Sequence, residues 1–174
     1  MLYTSQPSLL LTGSERLRYS SSAVTLNVNN TTGSKVAFTV TGCVHVHAIW
    51  ATVTTVISSN HTAGHLRTND QTATIDISEA VTGIALSALA VGTVFYKESL
   101  AAVALKLLDN AAAKMEEPAT AGIPWSSPFV VLKKTAATTT IDYRYTTTNA
   151  PSTGALLFGA LWIPLSTDGF LAGN

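Results

Sequence analysis

The chain has 174 residues, which suits one domain or one domain with an arm. Its 10 basic and 10 acidic residues cancel, which excludes an electrostatic footprint for nucleic acid. Charged residues make up only 11% against 47% hydrophobic, so the surface is expected to carry apolar patches of the kind that mark association sites.

Residues 1–22 mix Ser, Pro, Gly and charges without period and read as an extended N-terminal arm, leaving 23–174 as a single β domain. The arm carries Leu2, Tyr3, Leu9, Leu10 and Leu11, apolar side chains expected to settle on a neighbouring subunit or another partner. No basic residue precedes Leu9–Leu11 and the run is short, so the start does not read as a signal peptide. No window offers the roughly 18 apolar residues of a membrane span.

From Ala23 the texture changes to short β-prone runs between turn clusters. "AVTLNVN" aligns Val24, Leu26 and Val28 on one face; after the turn "NNTTGS", "KVAFTVTG" aligns Val36, Phe38 and Val40. The stretch from Thr41 to His61, "TGCVHVHAIWATVTTVISSNH", is unusual. Strict alternation puts Val44, Val46, Ala48 and Trp50 on one side, and Ile49, Ala51, Val53 and Ile57 on the other with His45 and His47. Neither side is polar, which predicts a strand covered on both faces, in a core or at a subunit contact. Trp50 therefore joins the arm's apolar residues as a candidate interface residue, and Cys43 reads as a buried small hydrophobe.

"SSNHTAGH" reads as a loop, "TATIDIS" as a strand, and "GIALSALAVGTVFYK" as one or two more. "ESLAAVALKLLDNAAAKMEE", residues 98–117, fits either one helix or strand–turn–strand. Three prolines exclude regular structure from residues 118–128. "FVVLKK" and "TIDYRYTTT" are strands expected to pair through "TAATT". "ALLFGALWIPLS" is the last strand, which Pro164 limits to an edge or a strand end, and "TDGFLAGN" reads as loop. Eight to ten strands predict an all-β domain, an antiparallel β-sandwich or jelly-roll-like fold.

The best chemical candidates are the histidines. His45 and His47 sit two apart on a strand and project to one face, as in the opening of a cupin metal motif. The carboxylate that should follow is missing, since Ala48, Ile49, Trp50, Ala51 and Thr52 come next. With His61 and His65 in a loop, the expected reading is structural histidines, no metal, no other cofactor and no catalytic residue. No nucleophile elbow, phosphate loop or zinc–cysteine spacing occurs. Tyr143, Tyr145, Trp125 and Trp162 offer either a sugar platform or ordinary aromatic packing.

"FTVTGCVHVHAIWATVTT" and "IDYRYTTTNAPSTGALLFGALWIPLSTDGFLAGN" together resemble the small β-sandwich structural proteins of tailed bacteriophage heads, of the capsid decoration or cement type. The match lies at the two ends of residues 36–170. The resemblance implies a non-enzymatic virion protein on the capsid exterior, made in the host cytoplasm and partnered by itself, as a homotrimer, and by the major capsid protein. It implies contact with neither nucleic acid nor membrane. A head-fibre, tail or receptor-binding component is the nearest alternative, and a cupin-like metal-binding enzyme a further one.

Overall fold

The computed structural model describes residues 17–26, 32–58, 61–80, 88–97, 103–108, 128–147 and 153–174. Among them there is no helix, and eleven strands follow one another. They are β1 (Arg18–Thr25), β2 (Thr32–Thr41), β3 (Cys43–Thr55), β4 (His61–Asn69), β5 (Thr74–Asp76) and β6 (Val94–Tyr96), then β7 (Lys106–Leu108), β8 (Phe129–Leu132), β9 (Thr139–Thr147), β10 (Ala155–Pro164) and β11 (Phe170–Gly173). Sheet A runs β1-β10-β3-β6-β7 with β8 also on β3; sheet B runs β11-β2-β9-β4-β5. Every pairing is antiparallel. The expected antiparallel β-sandwich is the fold.

The length of β3 organises sheet A. Its 13 residues pair along one side with β10 and offer the other side to two short strands end to end. β8 takes Cys43–Val46 and β6 takes Trp50–Thr52. Between the sheets lie Phe38, Phe95, Tyr143, Tyr145, Phe158 and Trp162, each almost fully buried. Phe95 meets Phe158 edge-on at 6.1 Å and Tyr143 at 5.7 Å. These rings are the main apolar burial that holds the sheets together.

Bulges overturn strict alternation at three strands. In β3, Trp162 faces Val46 and Leu161 faces Ala48, so His47 is an extra residue opposite nothing. Parity switches there: Val44, Val46, Ile49, Ala51 and Val53 all enter the core, while His45, Trp50 and Thr52 turn outward. The two half-apolar faces expected from the sequence are one apolar core face, read across the bulge. In β2 a bulge between Val36 and Phe38 keeps Phe38 and Val40 in the core but leaves Val36 partly exposed. In β4 the irregularity lies between Thr62 and His65, where Ala63 has φ 52°. That break is why "NHTAGH" looks like a loop although it begins a strand.

Other expectations are corrected by pairing. β1 starts at Arg18, so residues 18–22 belong to the sandwich and not to the arm. Leu2, Tyr3, Leu9, Leu10, Leu11, Val28 and Trp125 lie outside the described residues. β8 and β9 do not pair with each other. Residues 133–138 carry the chain from sheet A to sheet B, with Ala136 at φ 59° in the link. Residues 170–173 form β11 on the free edge of β2, whose backbone groups need partners. Within the helix-or-strand segment, 106–108 is strand. Pro164 ends β10, and the strand itself lies inside sheet A.

The two phrases that carry the resemblance meet at one corner. Between β2 and β3, Gly42 turns the chain at φ +58°, and a Cβ there would sit 2.3 Å from Asp168 Oδ1. Ser166 Oγ donates to Asp168 Oδ1 at 2.7 Å and accepts the Cys43 N–H at 2.8 Å. The Leu165 N–H donates to the Cys43 carbonyl at 2.8 Å. Glycine is required at this turn by both φ and space.

Candidate functional site

Side chains alternate across each sheet, so register fixes what the two outer faces display. On sheet A one row reads Ala23, Leu157, Thr52, Val94 and the next Ser21, Gly159, Trp50, Tyr96. The rows beyond read Tyr19, Leu161, Ala48, then Ile163, His45, Val130, then Cys43 and Leu132. No charged residue appears in these rows until Lys106, beside Tyr96 on β7 at the far edge. Tyr19, Val130 and Leu132 are 58%, 58% and 69% exposed. Cys43, expected to be buried, is partly exposed here.

Trp50 sits at the middle of this face. Its indole lies across Gly159, where a Cβ would come within 2.5 Å of two ring atoms, and it stacks on Tyr19 at 6.0 Å. Partly exposed, Trp50 is not a core residue of the subunit. A flat aromatic pair on an uncharged sheet face suits a protein contact.

His45 and His47 lie on the same face, ring centroids 4.4 Å apart. Burial holds the His47 imidazole below its ordinary range, with His45 pushing the same way. His47 Nε2 is buried without a hydrogen-bond partner. The other two histidines are elsewhere. His61 is fully buried in sheet B, 4.6 Å from the Tyr145 ring, with the Tyr143 hydroxyl 3.4 Å from its Nε2. His65 Nδ1–H donates to the Ala63 carbonyl and its Nε2 lies 3.7 Å from Asp76. The four histidines therefore do not converge, and no group of three metal-type side chains occurs among the described residues. Tyr143, Tyr145 and Trp162 are buried, so they form no sugar platform; Trp162 Nε1 donates to Ser20 Oγ at 2.9 Å.

Sheet B shows the opposite surface. Its outer rows contain Ser34, Arg144 and His65, then Val36, Asp142, Arg67 and Asp76, then Thr140, Asn69 and Thr74. Asp142, 2% exposed, accepts from Ser34 at 3.1 Å, Asn69 at 3.0 Å and Thr140 at 2.5 Å. Arg67 Nη2 lies 3.9 Å from the same carboxylate. The hydrogen-bonded charges are gathered here, with Ile75 and Phe170 exposed at the outer strands β5 and β11.

Sequence reasoning reached Trp50 but missed Leu157, Leu161, Ile163, Val130 and Leu132. The signal was present in "ALLFGALWIPLS", where both parities are apolar as in β3. No protein family, curated protein or solved structure matches this chain.

Proposed function

We propose that this chain is a non-enzymatic virion structural subunit, a decoration or cement protein that self-associates, as a homotrimer, on the outside of a phage capsid. The observation that supports it is the uncharged outer face of sheet A. From strand length and spacing that face measures on the order of 600 Å². A standard specific interface takes about 800 Å² from each partner, so the face supplies most of one contact. Burying it against a neighbour or the major capsid protein removes apolar surface from water, while the polar face of sheet B stays outward. The work done is mechanical: summed contacts resist movement of the shell beneath. The bacteriophage setting rests on the resemblance of the two end phrases, which pack together at the Gly42 corner.

Leu157→Lys tests the reading, because Leu157 is on the face and makes no core contact. Wild type should scatter light as a trimer and decorate capsids in electron cryo-microscopy, sheet A inward. The variant should be a folded monomer that leaves capsids bare. A wild type that stays monomeric and binds no capsid, or a variant that assembles normally, overturns the proposal.

A further inference from the structure

A second site lies on the opposite face. Ala63, His65, Arg67, Thr74, Asp76, Ala80, Arg144 and Thr146 surround a shallow depression of about 390 Å³ on sheet B. Two arginines, Arg67 and Arg144, line it. Arg144 stands on the central strand β9, between Ser34 and His65 in register. From β4, Arg67 reaches across β9 so that its Nη2 donates to Ser34 Oγ at 3.2 Å, beside Arg144. Its like charge is close enough to push the Arg67 pKa down, after burial and against Asp142 and Asp76.

The charges in this cluster are unevenly satisfied. Asp142 is neutralised by Arg67 and by three neutral donors. Asp76 lies against His65. Among the described residues Arg144 has no ion pair or hydrogen bond, and Arg67 Nε is buried with no acceptor. A buried guanidinium N–H without an acceptor is costly, and two neighbouring like charges on a sheet face are destabilising. An anion seated between them relieves the repulsion.

From this we infer that the Arg67–Arg144 depression is an oxyanion site for a phosphate or sulfate group. Guanidinium forks match such groups, and one tetrahedral anion has enough oxygens to meet donors from two side chains. The Thr74 and Thr146 hydroxyls on the rim can serve the remaining oxygen. A planar carboxylate, with two oxygens, fills one fork and leaves the other donor unmet.

Arg144→Gln is the informative variant, because Arg144 bonds to none of the described residues. In chloride, Arg144→Gln should melt at the wild-type temperature or above it, since a repulsion is removed. Inorganic phosphate or sulfate, matched to chloride in ionic strength, should raise the wild-type melting temperature and leave Arg144→Gln unmoved. In calorimetric titration the variant should bind phosphate at least about tenfold more weakly. Three results overturn the inference: an equal phosphate shift in both proteins, a variant clearly less stable in chloride, or acetate acting as strongly as phosphate.

Discussion

His61 makes the stability of this sandwich acid-sensitive by an amount that can be worked out. Fully buried against Tyr143 and Tyr145, it has a pKa pulled down by burial, partly offset by a backbone hydrogen bond, from 6.5 to about 4. The folded chain therefore keeps this imidazole neutral where the unfolded chain protonates it. Above pH 6.5 neither state binds the proton and nothing is lost. As pH falls from 6.5 towards 4 the unfolded state gains the proton first, and stability declines. At about 1.4 kcal/mol per pH unit the whole loss is about 3.5 kcal/mol, of which about 2.5 kcal/mol has gone by pH 4.5. His61→Phe keeps a ring between the tyrosines but removes the titration. Urea unfolding followed by tryptophan fluorescence at pH 7.5 and 4.5 measures it. The variant should be weaker at pH 7.5 by about 1 kcal/mol, for the lost Tyr143 bond. It should then lose about 2.5 kcal/mol less than wild type on acidification. Carboxylates elsewhere contribute equally to both proteins and cancel. Parallel losses in the two proteins would refute the argument and mean that water reaches His61.

Asp142→Ala should cost about 3 kcal/mol in urea unfolding, because it strands Arg67 and three donors; a loss below about 1 kcal/mol would show the network to be replaceable. Trp50→Ala should cost the isolated subunit only about 1–2 kcal/mol, since the indole is partly exposed and outside the core, yet it should weaken self-association in sedimentation. Deleting His47 removes the extra residue of the β3 bulge and leaves every core side chain on its face, so circular dichroism should show a folded β protein. Deleting Thr52 instead turns Val53 outward and should lower the melting temperature far more. Removing residues 1–11 leaves β1 intact and should leave the domain folded while reducing assembly; a truncated chain that unfolds would place those residues in the subunit's own core.

How far the sequence discloses this fold depends on where the ladder is regular. β9 could be read directly: Ile141, Tyr143 and Tyr145 enter the core while Asp142 and Arg144 leave it. β3 could not, because a single extra residue at His47 moves Ile49 and Trp50 to the faces opposite those that counting assigns. The bulge at Ala63–Gly64 concealed a strand start in the same way, and with it the burial of His61. Pairing choices were equally hidden. A link as short as 133–138 serves a hairpin or a crossing between sheets, and only the free edges elsewhere decide which. The apolar character of sheet A was visible in β3 and β10 separately, but the charge-free face exists only once their register is known. The Arg67–Arg144 contact joins β4 to β9, segments that no local pattern connects.

The partners in this sandwich are far apart along the chain. β1 closes on β10, and β2 on β9 and β11, while among the described strands only β4–β5 and β6–β7 pair with their immediate successors. Until Ser166 and Asp168 reach Gly42, the first corner has its turn but not its clasp. Loop closure must therefore precede most of the rewarding contacts, which places folding in the slow class of β topologies, milliseconds to seconds. During that interval β1–β3 present unpaired apolar edges to every other copy being made. Under the proposed self-association such a chain needs its late strands to arrive before its neighbours do, and the rate at which β10 and β11 dock limits how much of it avoids aggregation.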